Sequence, residues 1–475
     1  MAAAVVLLPL GWFWQQSLLP STYSVMDMGY ADYGGGAHMP AHMSHHGISV
    51  EDLKADAGVP ADVTVDLIAR KAKTKLASGR EIDGFTLNGK TPGPTITATV
   101  GQLVEVNLHN KSVDKGVSLH WHGVDVPNAE DGVAGVTQDA VEVGSSHTYR
   151  FVVDKPGTYW YHSHQISHDQ VIGGLLGALV VEPEDGVDQD KDLLALSHTY
   201  NGNRTLNGEE GVTRVPAEPG ERVRVRVINT DNGTMHVWTK GPYRVLAIDG
   251  QDLAGPTLVR NRHLAVPAGG RADLEVVVPS SGAARVQVAA ATAFVIGAEV
   301  AKEPSRPTEP SVDLDLLTYG TSTALPIDVS KPDRTFDYSI GRHPGFIDGR
   351  PGLWWSINGH LFPDVPMFTV REGDIVKFHI ENHSGQIHPM HLHGHHAVVV
   401  ARNSEKSTGS PLWVDSIDVH DGESVDLVFL AGNPGIWMDH CHNLPHAADG
   451  LVAHLMYEGV STPFTIGGKA ANSPE

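Results

Sequence analysis

The stretch GQLVEVNLHN, residues 101–110, decides the fold because its apolar and polar residues alternate. Such alternation places apolar side chains on one face of a β-strand and polar side chains on the other. Related stretches are GERVRVRVIN at 220–229 and GDIVKFHIEN at 373–382. Each ends in Asn and follows an upstream Asn-Gly pair, at 88–89, 201–202 and 358–359. This internal repeat predicts three related β-domains.

The ends of the outer repeats also resemble each other. PGTYWYHSH at 156–164 matches PGIWMDHCH at 434–442, and both precede an apolar strand. Charged or Pro-rich segments at 182–192 and 302–311 are typical of linkers. We therefore predict an all-β chain of Greek-key sandwiches or barrels, with domains at 59–185, 186–310 and 311–475.

Composition excludes several classes of function. The net charge of −22 argues against a nucleic-acid partner. The single cysteine, Cys441, excludes a disulfide framework and gives no indication of the redox compartment. The 28 histidines are an unusually large number and direct attention to metal binding.

The N-terminal region carries two signals. Residues 2–25 have no charge, so we interpret 1–25 as a signal-peptide core or membrane anchor of an exported protein, with a buried globular segment as the alternative. A basic region is missing, since the first Lys or Arg is Lys54. Residues 26–58 read as a Met/His-rich linker that either captures soft Cu(I) or is merely flexible. Its Met and His residues are Met26, Met28, His38, Met39, His42, Met43, His45 and His46.

Four histidine clusters recur, two in each outer domain. In a strand, His-x-His places both imidazoles on one face. The middle domain has Met235-His236-Val237-Trp238 where the repeat predicts a pair, so the pairs are not a by-product of the fold. Two pairs from each outer domain supply eight histidines for a shared interdomain site. The clusters are His120/His122, His162/His164, His388/His391/His393 and His440/His442 with His446.

Cys441 lies between two of these histidines. Thiolate and imidazole ligands together suit copper, zinc or iron. Because neighbours on an extended chain face opposite sides, Cys441 would face one metal while His440 and His442 point to another. His446, five residues on, is a further ligand for the cysteine's metal.

The four clusters, in this order and spacing, resemble those of three-domain multicopper oxidases such as laccases and bacterial copper-efflux oxidases, over about residues 60–465. The resemblance implies three cupredoxin domains and four copper ions. Type 1 copper would be held by His388, Cys441 and His446, and type 2 copper by His120 and His391. The type 3 pair would be held by His122, His162, His164, His393, His440 and His442.

The chain departs from the family at some positions. The axial position, ten residues after the cysteine, is Leu451 rather than Met, and loss of a thioether should raise the type 1 potential. Met456 is interpreted as core rather than axial. By resemblance, Asp131 is a candidate for proton delivery, with a turn-capping role as the alternative. A Glu that often follows the last type 1 histidine is replaced by Ala447, and Asp439 or Asp449 is a substitute candidate.

The sequence therefore predicts an enzyme that oxidises phenols, aromatic amines or Cu(I) and reduces O2 to water, with a role in copper tolerance. One alternative is a copper store without turnover, which would not need a complete eight-histidine set. A nitrite reductase or electron carrier would not need His162/His164 and His440/His442 together. A zinc hydrolase would lack the blue absorption of thiolate-bound Cu(II).

Overall fold

A computed structural model of the chain describes residues 10–36, 47–56, 58–76, 78–298 and 302–475. Most of its regular structure is β-strand, which confirms the predicted all-β fold. In these residues the helices are short: α1 at 10–16, α2 at Ser167–Gln170 and α3 at Leu444–Ala448. Single 3₁₀ turns lie at Val25–Asp27, Val50–Asp52 and Asn128–Glu130. The larger sheets form three successive pairs along the chain.

The first pair of sheets lies between residues 63 and 182. The apolar residues of the strand Leu103–Asn110 are buried and its alternate polar residues are partly exposed, as period-two alternation requires. One sheet has the order Glu81–Leu87, Val63–Lys75, Leu103–Asn110, Ser146–Val152. The other has the order Ile96–Thr99, Leu176–Glu182, Gly157–Ser163, Leu119–His122.

The middle pair repeats this plan with additional short strands. Its larger sheet has the order Glu209–Glu210, Asn203–Leu206, Lys191–Tyr200, Arg222–Asn229, Arg271–Val277, Tyr243–Ile248, Gln251–Asp252. The second sheet has the order Val212–Pro216, Thr292–Gly297, Ala283–Val288, Met235–Thr239, Leu264–Val266.

The third pair contains the strands that carry Cys441. One sheet has the order Tyr30–Asp32, Pro366–Val370, Val452–Tyr457, Ile436–Cys441, His388–Leu392, Ser416–Val419. The other has the order His360–Leu361, Arg350–Ile357, Arg334–Ile347, Ile375–Asn382, Ser424–Leu430, Ala397–Arg402, Glu405–Lys406, and Trp413–Val414 pairs with Ala397–Arg402. Two small sheets pair Thr22–Tyr23 with Ile466–Gly467 and Ile48–Ser49 with Val460–Ser461.

The N-terminal region packs against the third pair of sheets. Tyr30–Asp32 runs parallel to residues 366–368, and Met28 is buried in the common core. The prediction of a linker over 26–58 is therefore wrong for residues 26–32 and 48–50, because burial of Met28 and Val50 and the pairing of both segments with strands fix these parts to the third domain. The remaining predicted copper-capture residues, 38–46, lie outside the described residues. Among the described helices, none has the length and apolar character needed to cross a bilayer.

The Asn that ends each repeated stretch has a structural role. Asn110, Asn229 and Asn382 are fully buried. In each residue, the side-chain Nδ2 donates to one carbonyl in the loop that follows and to a second carbonyl outside that loop. For Asn110, these are the carbonyls of Val113 at 2.9 Å and of Val141 at 2.8 Å. The equivalent bonds of Asn229 and Asn382 reach Gly233 and Val266, and Gln386 and Val419. This bonding fixes the start of each segment that leads to the next motif strand.

In the middle domain, the Asn-Gly pair that matches the repeat is not the predicted pair at 201–202. Asn88 and Asn358 have positive φ, and each side chain bonds to backbone groups of a neighbouring strand. The residue with the same bonds in the middle domain is Asn207, which contacts Leu194 and Leu196. Asn201-Gly202 instead forms the turn between Lys191–Tyr200 and Asn203–Leu206. Two Asn-Gly pairs stand close together here, and the sequence alone does not distinguish their roles.

We predict that Asn110→Ala lowers the free energy of unfolding by about 1–3 kcal/mol, because two buried carbonyls lose their donor. Asn107→Ala, on the same strand, is the matched control because its side chain bonds only exposed side chains. Denaturant unfolding of both variants measures the difference. Equal losses would contradict a role specific to the buried Asn.

Candidate metal centre

Two antiparallel strands bring the four histidines of the first domain together. In the register between Leu119–His122 and Gly157–Ser163, His162 lies opposite His120 and Trp160 opposite His122. His164 follows directly after the second strand. All four histidines are buried, so the sequence-predicted pairs form one wall of an enclosed site.

The third domain builds the opposite wall with the same strand arrangement. His391 lies opposite His440, and Met390 lies opposite Cys441, in the register between His388–Leu392 and Ile436–Cys441. Since side chains alternate along a strand, His440 faces the first domain while Cys441 faces the interior of the third. This alternation separates the two predicted ligand sets.

The eight predicted histidines of the interdomain set lie together and are at most 1% exposed. The Nε2 atoms of His120 and His391 are 3.5 Å apart, although the two residues come from different domains. Those of His393 and His440 are 3.2 Å apart, and the His164 ring lies 5.3 Å from His440. Possible three-residue metal sites in this set are His120/His391/His393, His120/His122/His162 and His164/His393/His440.

Hydrogen bonds fix which ring nitrogen faces the centre. Nδ1 of His391 donates to the Asp415 carbonyl at 2.8 Å, and Nδ1 of His440 donates to the Cys441 carbonyl at 3.1 Å. Both rings therefore direct Nε2 inward. His122 is reversed, because its Nε2 donates to Asp415 at 3.1 Å and its Nδ1 is buried without a partner. A carboxylate or carbonyl that holds the outer nitrogen is the usual support of a metal-binding histidine.

The inward nitrogens make this set suitable for metal ions. Among the described residues, the rings of His164 and His442 have no hydrogen-bond partner for either buried nitrogen, which is costly unless a ligand satisfies them. Burial also lowers the pKa of most of these rings, which keeps them as neutral donors for a metal. This lowering applies to His122, His162, His164, His391, His393, His440 and His442.

The second set contains His388, Cys441 and His446. Cys441 Sγ lies 3.5 Å from Nδ1 of His388 and 3.7 Å from Nδ1 of His446. Nε2 of His388 bonds Ser384 Oγ at 2.7 Å, which leaves Nδ1 for a metal. Burial raises the pKa of the Cys441 thiol, so a bound cation is needed to stabilise the thiolate. One thiolate and two imidazoles form a donor set that fits copper.

The backbone of Leu451 contacts the backbone of Cys441 in this set. Its carbonyl accepts a hydrogen bond from Cys441 N at 3.1 Å, and its side chain is fully buried. Met456 pairs with Ile436, at the far end of the cysteine strand. The register therefore places Met456 away from Cys441.

Asp131 joins the two domains within the histidine set. Its Oδ1 accepts from His120 Nδ1 at 3.0 Å, and both carboxylate oxygens lie 3.1 Å from His393 Nδ1. Burial raises the pKa of Asp131, although His120 and His391 favour its charged form. Asp131 therefore supports two candidate metal ligands at once.

Asp415, which sequence reasoning missed, links the site to the middle domain. Its carboxylate accepts two hydrogen bonds of 2.6 Å from the fully buried Arg271. Asp249 accepts from the backbone N of Arg271 at 2.8 Å and from that of Asp415 at 3.1 Å. Burial opposes the charge of Asp415, but Arg271 holds the pKa of this carboxyl well below its usual range. The middle domain thus positions His122 through Asp415.

Glu475, which sequence reasoning also missed, lies beside the histidine set. Its Oε1 is 3.5 Å from His440 Nδ1 and 4.0 Å from His164 Nε2, and its Oε2 accepts from Ser167 Oγ at 2.6 Å. Burial raises the pKa of Glu475 to about 8. Asp439 and Asp449 were the two candidates to replace the Glu that is absent at Ala447. Asp439 is buried beside Tyr338, whereas Asp449 is exposed.

Comparison with known proteins agrees with this geometry. Two family models, both described as multicopper oxidase, match residues 69–186 and 331–459, together just over half of the chain. The chain belongs to the multicopper oxidase family. It is therefore an oxidoreductase that uses O2, and the family implies copper as its cofactor.

The oxidase is similar to relatives that are named for different activities. It is 28% identical over 474 residues to the iron transport multicopper oxidase fetC of Epichloe festucae, covering 77% of this chain and 72% of the relative. It is also 28% identical over 466 residues to laccase-1 of Botryotinia fuckeliana, covering 83% and 82%. The crystal structure of a multi-copper oxidase from Pseudomonas thermotolerans superimposes with a TM-score of 0.69 at 25% identity, covering 83% and 98%.

We predict that Asp131→Asn lowers the rate of O2 reduction about 10–100-fold, because it removes the carboxylate that orients His120 and His393. The blue absorption should persist, since Cys441 is untouched. Oxygen uptake by the copper-loaded variant measures the loss. Glu130→Gln is the matched control, because Glu130 is buried nearby but accepts from Arg150 N at 2.9 Å. An unchanged turnover in Asp131→Asn would remove this residue from proton delivery.

Proposed function

We propose that this oxidase couples one-electron oxidation of an outer donor to four-electron reduction of O2 to water. The observation that carries the proposal is the position of Cys441. Its side chain belongs to the set with His388 and His446, while its neighbours His440 and His442 belong to the eight-histidine set. Two ligand sets are thereby joined by one short covalent segment.

The proposed copper assignment follows this division. Type 1 copper is assigned to His388, Cys441 and His446, with Leu451 at the axial position. Type 2 copper is assigned to His120 and His391. The type 3 pair is assigned to His122, His162, His164, His393, His440 and His442. When bound, copper supplies reversible one-electron redox chemistry that these side chains lack.

The chain itself supplies enclosure, contact with the donor and a proton. The eight histidines are buried, which favours retention of partly reduced oxygen. His446 is partly exposed and offers an edge for an outer donor. Asp131 can hold a proton on its carboxylate beside His120 and His393, and we propose it as the residue that delivers protons.

The donor is proposed to be a phenol, an aromatic amine or Cu(I). A relative named iron transport oxidase and one named laccase are equally identical to this chain, so similarity alone does not select among donors. A role in copper tolerance is proposed from the Met/His residues at 26–46. Met28 is buried, so capture of Cu(I) would depend on the others.

We also propose an exported protein with a possible membrane tether at the N-terminus. Residues 2–25 carry no charge. Within this segment Trp12, Phe13 and Trp14 are exposed to about half of their full area. Aromatic side chains with this exposure are suited to the interface between water and lipid headgroups.

We predict that Cys441→Ser removes the blue absorption and abolishes oxidation of phenols, because the thiolate ligand is lost. Much of the copper at the eight histidines should remain. Absorption spectra, metal analysis and oxygen uptake measure these effects. Phenol oxidation at the parent rate would contradict the assignment of Cys441 to the electron-entry site. Parent protein that binds copper but consumes no oxygen with phenol or Cu(I) would instead indicate a copper store.

We predict that replacing Met39 and Met43 by Leu, with His38, His42, His45 and His46 changed to Gln, impairs Cu(I) oxidation more than phenol oxidation. Thioether and imidazole ligands favour Cu(I), whereas a phenol does not need them. These replacements leave the buried Met28 intact. Oxygen uptake with each donor gives the comparison, and equal effects on both donors would exclude selective capture.

A further inference from the structure

The surface beside His446 has a defined chemical character. His446 is the partly exposed member of the Cys441 set, whereas His388 is buried. A donor that delivers one electron to this set therefore approaches His446. The side chains around its ring determine which donors can do so.

Trp355 covers both histidines of the set. Its ring lies 4.7 Å from the His388 ring and 4.5 Å from the His446 ring. Arg342 stands opposite Trp355 in the hairpin of Arg334–Ile347 and Arg350–Ile357. The Arg342 guanidinium carbon lies 4.6 Å from the centre of the Trp355 ring, and Nη2 donates to the Leu353 carbonyl at 3.2 Å.

These contacts hold a positive charge next to the electron-entry edge. Arg342 is exposed, and no carboxylate of the described residues lies within salt-bridge distance of it. Trp355 connects this charge to both metal ligands, because its ring contacts Arg342 as well as His388 and His446. The exposed side chain of Leu353 adds an apolar surface beside this charge.

A free metal cation is disfavoured on this surface, so the Cu(I) oxidation proposed above would depend on the Met/His residues at 38–46. A cation approaching His446 meets the charge of Arg342. Three of the four described methionines of the third domain are buried and Met367 is partly exposed, so the described surface of this domain offers few thioether ligands for soft metals. The four methionines are Met367, Met390, Met438 and Met456.

We propose that Arg342 makes this oxidase selective for aromatic donors that carry an acidic group, such as phenol carboxylates. The donor ring would pack at the His446 edge against Leu353, and its carboxylate would pair with the guanidinium. Guanidinium groups bind carboxylates in this way by charge-assisted hydrogen bonds. This inference rests on the proposed function, because it concerns the donor of the Cys441 set.

The test compares two donors that share one ring, 4-hydroxy-3,5-dimethoxybenzoate and 2,6-dimethoxyphenol. Anaerobic bleaching of the blue absorption gives the rate at which each donor reduces the copper-loaded protein. A change in the potential of the site affects both donors and cancels in their ratio. We expect Arg342→Gln to lower the ratio of benzoate to phenol about five-fold, as is reasonable for an exposed ion pair. Arg342→Lys should retain most of the preference.

Arg350→Gln is the matched control. Arg350 lies on the same hairpin, and its guanidinium carbon stands 5.2 Å from the centre of the ring of Trp354, whereas Trp355 is the tryptophan that contacts His446. The donor ratio should not change in this variant. Calorimetric binding of 3,4,5-trimethoxybenzoate, whose hydroxyl is blocked, should weaken in Arg342→Gln and not in Arg350→Gln.

The outcomes separate the two proposals. A ratio in Arg342→Gln equal to that of the parent, with unchanged binding of the blocked benzoate, would overturn the role of Arg342. Failure of both donors to bleach the parent protein would overturn the proposed function itself.

Discussion

The opposite orientation of neighbouring side chains on one β-strand is the constraint on which the site depends. At the end of Ile436–Cys441, the thiol enters the core of the third domain, and the flanking imidazoles face the first domain. Hydrogen bonds across the sheet hold this strand in register with His388–Leu392. A slip of one residue would exchange the two faces and disrupt both ligand sets. The electron transfer that we propose between the two sets would therefore follow a fixed and short connection.

A centre built between two domains requires control of their relative position. Asp131 forms hydrogen bonds with histidines of both outer domains. Arg271 of the middle domain donates to Asp415, which in turn accepts from His122. Arg271 Nε also donates to the Thr158 carbonyl of the first domain at 3.1 Å. Buried charges of this kind are costly unless paired, and here each is satisfied by specific partners. The middle domain, which has no predicted ligands of its own, thus contributes geometry rather than donors.

Much of this arrangement could be predicted from sequence because it depends on local periodicity. Period-two alternation predicted the strands, and His-x-His spacing predicted which imidazoles share a face. The contacts of Asp415 with Arg271 and of Glu475 with His164 could not be predicted, since each joins residues more than 100 positions apart. Asn201-Gly202 and Asn207-Gly208 have the same sequence, and only the fold distinguishes the hairpin turn at Asn201 from the bonding pattern that Asn207 shares with Asn88 and Asn358. Long-range polar contacts follow from tertiary packing and leave no spacing signal.

The number of donor molecules oxidised per O2 consumed tests the central claim most directly. A phenolic one-electron donor would be supplied to the copper-loaded oxidase, with an oxygen electrode and a peroxide assay running together. If Cys441 connects an electron-entry site to an enclosed eight-histidine site, four donors should be oxidised per O2 and no hydrogen peroxide should appear. Two donors per O2, with peroxide accumulating, would contradict the account.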